Sequence, residues 1–238
     1  MSSDQAPVQM RPDAPQSTAE VAGPAREAQA VNLAQALREA TWALHGQAER
    51  AGIMPALLGG RLAPHVFHAL QRNLHALYEV MEAGLLQGSA HPVLAPLQDT
   101  RLPRAARLAA DLDDLHGLDW REALPLLPAT RAYLDRLRSL SHAQPAGLVA
   151  HAYVRYLGDL AGGQSLARCV VRAFDLKEGR GTSFFHFGAP DQARALALAF
   201  RSRLAELDPS AGERAVILAE AQWSFGQHVR LFEELAAV

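Results

Sequence analysis

The sequence predicts an all-α protein built as one helical domain behind a disordered tail. Three observations lead there. Apolar residues recur at a three-to-four spacing almost throughout, the period of a helix face turned to a core. Period-two alternation is confined to a brief stretch, Thr182 to Phe187. Proline and glycine cut the rest into segments of helical length.

Residues 1–27 are rich in Pro, Gln, Ala and Ser with almost nothing to bury, and read as a disordered tail. The first helical segment covers about 31–50. A second starts at Pro64, whose fixed φ suits a first turn, and runs to about 87. A third covers about 104–115, a short one follows Leu118, and another spans about 128–141. A glycine-bearing segment runs over about 145–174, and the last two over about 191–207 and 209–237. That makes roughly eight helices in one domain.

Composition narrows the partners. Of 238 residues, 49% are hydrophobic and 20% charged, which is ordinary for a soluble globular protein. A net charge of −2 gives no electrostatic case for nucleic acid or a membrane surface. There is no apolar run of membrane-spanning length and no signal-peptide pattern at the N-terminus. The single cysteine, Cys169, excludes an internal disulfide and suits a reducing cytoplasm.

The stretch from His151 to Gln164 is the most informative. It places Gly158, Gly162 and Gly163 inside a helical pattern. Each interior glycine costs about 1 kcal/mol relative to alanine, so the missing side chains must serve something. Gly158 and Gly162 are four apart and share one face. Another body can approach that face closely, either a second helix or a flat ligand. Asp159 lies beside it, and Arg155 is four residues earlier. Residue spacing alone favours a packed helix and a structural Arg–Asp pair.

Other constellations are weaker. His45 and Glu49 share a face of the first helix, where a carboxylate can fix an imidazole tautomer; spacing alone favours a surface pair. His65, His68 and His75 invite a metal reading but read better as surface histidines. Asp113-x-x-His116 stands alone, so a di-iron bundle is disfavoured. Tyr78, Tyr133 and Tyr156 read as core. No phosphate loop or G-x-G-x-x-G is present, so the chain shows no nucleotide or flavin site of its own.

The segment His151-Ala-Tyr-x-Arg-Tyr-Leu-Gly-Asp-Leu-x-Gly-Gly-Gln164 closely resembles the signature helix of heme oxygenases. Leu44-His-x-Gln-Ala-Glu49 resembles their proximal-ligand segment, and Arg201-Ser-Arg203 and Leu231-Phe-Glu-Glu-Leu235 follow in the family's order. The similarity covers about 33–235, so residues 28–238 are expected to form a heme oxygenase domain.

The resemblance implies heme, both substrate and cofactor, held between two helices and cleaved to biliverdin, carbon monoxide and ferrous iron through a ferric hydroperoxide. His45 matches the iron ligand and Glu49 its hydrogen-bonding partner. Asp159, Arg155 and Tyr78 match the distal network that orders waters and delivers protons. Gly158 and Gly162 match the close backbone approach of a kinked distal helix. Arg38, Tyr153 and Arg201 match propionate-binding positions, and Phe225 a pocket wall. His228 stands where an asparagine is frequent, with an expected titration near neutral pH. Ala197, Thr41 and Trp42 are less basic than in many relatives, which bears on heme seating. O2 and an external electron donor, a ferredoxin or flavoprotein reductase, are implied, with a bilin-binding phytochrome as a product acceptor. The alternative is a non-catalytic heme sensor or carrier, which needs His45 but no Asp159 network.

Overall fold

The computed structural model describes residues 31–177 and 180–238. The expected tail at 1–27, and the boundary after it, lie outside them. Among the described residues the chain forms nine α-helices and no strand. They are α1 (Leu33–Ala48), α2 (Met54–Leu58), α3 (Pro64–Gln87), α4 (Ala105–Leu115), α5 (Trp120–Ala123), α6 (Pro128–Ala143), α7 (Leu148–Phe174), α8 (Pro190–Glu206) and α9 (Ala211–Leu235). The extra helix over the expected eight is α2, whose five residues are too short to show a period.

Local chemistry sets the ends. Asn32 caps α1 by accepting from the Gln35 amide at 2.9 Å. Prolines open α3, α6 and α8 at their first turns. Ser210 and Glu213 cap α9 reciprocally, at 3.3 and 2.8 Å. The alternation at Thr182 to Phe187 is not a strand. It holds a single 3-10 turn at Ser183–Phe185, because the Asp111 carboxylate takes the Ser183 and Phe184 amides, each at 2.8 Å.

Packing follows the apolar faces. α1 lies along α9, α3 packs on α6 and α4, and α7 touches α9, α8 and α3. Leu33 and Leu37 of α1, Leu77 and Met81 of α3, and Phe200 of α8 are fully buried. Burying each such side chain contributes about 1.5–3 kcal/mol.

Two joints hold the helices that form the site. After α1 the chain turns through Gly52 at φ +45°, where an added Cβ would lie 1.9 Å from the Phe232 carbonyl oxygen. Only glycine fits there, and the Ile53 amide donates to that same oxygen at 3.2 Å. The end of α1 is thus pinned to α9. The second joint is Glu234, whose carboxylate accepts from the Ala129 amide at 3.0 Å and so caps α6 from the far end of the sequence.

Candidate active site

α1, α7 and α9 enclose a cleft with two lobes. The outer lobe holds about 710 Å³ and the inner about 400 Å³. His45, Val154, Gly158, Ala161 and Phe225 line both, so the lobes meet between α1 and α7. Volumes of this size suit a small-molecule ligand.

The glycines of α7 divide into two kinds. A Cβ added to Gly158 or Gly162 meets nothing within 4 Å. On Gly163 it would lie 3.3 Å from the Phe185 carbonyl oxygen. Gly163 therefore serves packing against the 3-10 turn, while Gly158 and Gly162 bare a strip of helix backbone to the cleft. The neighbouring helix that spacing alone favoured does not cover that strip.

Across the cleft stands His45, on the last turn of α1 and half-exposed. Its Nδ1 is 3.6 Å from Glu49 Oε1, so the expected hydrogen bond is not closed. Both side chains are more than half open to solvent, which removes the drive to close it. The edge of the Phe225 ring packs on His45, with centroids 6.0 Å apart. With Nδ1 toward Glu49, Nε2 is the nitrogen left for a metal.

Asp159, also facing the inner lobe, belongs to a buried cluster. Tyr78 donates its hydroxyl to Asp159 Oδ2. Arg155 donates to Asp159 Oδ1 at 2.9 Å, to the Tyr78 oxygen at 3.0 Å and to His228 Nε2 at 3.2 Å. Burial raises the Asp159 carboxyl above its usual range, and Arg155 opposes this. Burial works against the Arg155 charge too, but Asp159 and Tyr78 more than offset it. The Arg–Asp pair inferred from spacing is real, and it also faces a cavity.

His228 departs from expectation. Its Nδ1 lies 2.8 Å from the Ser224 carbonyl oxygen, which only accepts, so Nδ1 carries the proton and Nε2 receives Arg155. Burial first, and then the Arg155 charge, push its pKa down to about 3. It does not titrate near neutral pH.

The mouth of the cleft is lined by Arg38, Arg201, Tyr153, Thr41 and Trp42. Among the described residues neither Arg38 nor Arg201 pairs with a carboxylate within 4.0 Å. Arg203, by contrast, bonds Asp99 at 3.2 Å. Tyr153 lies 3.2 Å from Thr41 Oγ1, whose own proton goes to the Leu37 carbonyl at 2.7 Å. Ala197 is buried in the core and does not line the cleft.

The remaining histidines lie elsewhere. His68 meets His116 edge-on at 5.7 Å, and His75 is buried against Trp120 at 4.8 Å, so it is not a surface residue. Among the described residues no three His, Cys, Asp or Glu converge on a metal position. Sequence reasoning missed Phe184 and Phe185, which wall the inner lobe from the loop before α8. It also missed a buried chain behind the site. Glu220 accepts from His151 Nε2 at 3.3 Å, His151 Nδ1 receives the Tyr133 hydroxyl at 2.9 Å, and Tyr133 accepts from Ser224 at 2.5 Å. These partners are about 18–91 residues apart, a separation that carries no local signal.

The residues present fit heme. The bared strip at Gly158 and Gly162 admits a flat ring, His45 offers a ring nitrogen to iron, and the Arg38 and Arg201 guanidiniums, without an ion pair among the described residues, suit two carboxylates. Such a cleft defines a class, the all-α proteins that hold a porphyrin between two helices.

Comparison with known proteins narrows the class. The heme oxygenase family model matches residues 31–234. Heme oxygenase 1 of a Nostoc species is 37% identical over 86% of this chain and 86% of its own. Human heme oxygenase 1 is 36% identical over 86% of this chain and 72% of its own. The crystal structure of heme oxygenase-1 from the cyanobacterium Synechocystis in complex with heme superposes with a TM-score of 0.82 at 34% identity, covering 87% of this chain and 93% of that one. This chain belongs to the heme oxygenase family.

Proposed function

We propose that the chain cleaves heme, its substrate and cofactor, to biliverdin, carbon monoxide and ferrous iron, using O2 and electrons from a separate donor. The observation that carries this is the slot between His45 and the bared backbone at Gly158, with the buried Asp159 cluster facing the same cavity. When bound, heme supplies the iron that takes up O2 and the meso carbon that is oxidised, and a neutral imidazole pushes less electron density onto that iron than a thiolate does.

The chain's residues do the rest. His45 Nε2 would hold the metal, with Glu49 Oε1 3.6 Å from Nδ1, on the side that orients the ring. Gly158 and Gly162 let the α7 backbone lie against the ring and confine what binds there. Asp159, with its raised pKa, is suited to hold and pass protons through water in the inner lobe. Arg155 holds it through one bond at 2.9 Å, and the Tyr78 oxygen and His228 Nε2, each taking a bond from Arg155, fix Arg155 in turn. Arg38, Arg201 and Tyr153 bind the heme carboxylates, and Phe225 walls the ring beside His45.

The electron donor in this proposal is a ferredoxin or flavoprotein reductase, and a bilin-binding phytochrome is the acceptor of product. A cytoplasmic location goes with it, supported by the single cysteine. No helix among the described residues is long and apolar enough to cross a membrane.

The test is the hemin complex given ascorbate and air. Decay of the Soret band with biliverdin absorbance rising and carbon monoxide released supports the proposal. An unchanged Soret band would leave a heme sensor or carrier.

A further inference from the structure

Trp42 stands at the cleft mouth without a contact role of its own so far, and its position is unusual. It is 70% exposed and is the one exposed aromatic residue among those described. It lines the outer lobe of the cleft. On α1 it lies four residues after Arg38 and three before His45, so all three share a face. The Arg38 guanidinium carbon is 5.7 Å from the centre of its indole ring.

A guanidinium held by its flat face on an aromatic ring keeps its N–H edge free, because its donors lie in its own plane. Arg38 makes no ion pair among the described residues, so that edge is uncommitted. A bare arginine on an exposed helix face samples many rotamers, and a ring 5.7 Å away restricts that freedom before the ligand arrives.

We propose that Trp42 is a substrate-positioning residue: it holds Arg38 by the face so that its N–H edge meets one heme carboxylate, and so fixes the in-plane seating of the ring. This rests on the reading of the cleft as a heme site. Seating decides which meso carbon lies under the Gly158 strip, so the same contact bears on which biliverdin isomer forms.

The test compares hemin with hemin dimethyl ester, which lacks the free carboxylates. Both are titrated into the wild type, Trp42→Ala, Trp42→Phe, Arg38→Ala and the Trp42→Ala/Arg38→Ala pair. Trp42→Ala is expected to weaken hemin binding about two- to fivefold and to leave the ester unchanged. It should add nothing further in the Arg38→Ala background, and Trp42→Phe should retain most of the hemin affinity. Heme-methyl resonances of the cyanide complex should show a second seating in Trp42→Ala. Equal losses for hemin and ester, additive losses with Arg38→Ala, or no loss at all overturn the stacking role. One unchanged seating overturns its control of orientation. Failure of the wild type to bind hemin overturns the heme reading itself, and this inference with it. Trp42 is exposed, so the variants should keep the wild-type melting temperature.

Discussion

Arg155 donates to His228 Nε2 at 3.2 Å inside the protein, and it does so because His228 is neutral. The Ser224 carbonyl fixes the tautomer by taking the Nδ1 proton. A protonated imidazole would turn a donor toward Arg155 and place two cations together.

Stability should therefore depend on pH through this residue. Unfolded, His228 takes up a proton near its ordinary value of 6.5; folded, it does so only at about 3. In that window the unfolded chain binds more protons, so the His228 contribution is complete above about 6.5 and is lost as pH falls toward about 3. Urea unfolding of the wild type and His228→Asn checks this, since the amide oxygen of asparagine can accept the same Arg155 bond. Between pH 6 and 5 the wild type should lose about 1 kcal/mol more than the variant. Parallel pH profiles would contradict it.

Asp159 should matter for turnover and not for loading. Asp159→Asn keeps the shape and removes the titrating acid. Its hemin complex should form with an unchanged Soret position, while biliverdin formation falls about a hundredfold, as for loss of a general acid–base. Undiminished biliverdin yield would place proton delivery elsewhere in the inner lobe.

Gly158 and Gly163 should respond differently to the same change. Gly158→Ala puts a methyl into open space and improves helix propensity by about 1 kcal/mol. The ligand-free protein should melt about 2–4 °C higher, while its hemin affinity falls. Gly163→Ala gains the same propensity but forces a Cβ to 3.3 Å from the Phe185 carbonyl oxygen, so the ligand-free protein should melt lower than Gly158→Ala. Thermal melts with and without hemin separate the two; equal shifts in both variants would refute the distinction.

Much of this was legible in the sequence where the signal is local. The three-to-four period located the long helices, and Pro64, Pro128 and Pro190 mark their starts. The glycine-bearing stretch stood out because interior helix glycines are costly. Spacing alone could not say what faces Gly158, since a helix and a ring both need a smooth surface. The four-residue step from His45 to Glu49 gave a shared face but not a closed bond, which depends on exposure. Burial sets the charge of His228, and burial is decided by α3, α6 and α7 packing against α9. α2 was missed for its length, and Phe184 and Phe185 because Asp111 overrode their alternating pattern.

The central claim is that heme sits between His45 and the bared face of α7. Hemin titration of the wild type and His45→Ala, with and without added imidazole, tests it most directly. The wild type should bind one equivalent with a histidine-ligated spectrum; His45→Ala should lose that spectrum and its turnover, with both partly restored by imidazole. A wild-type spectrum and normal turnover in His45→Ala without imidazole would contradict the account.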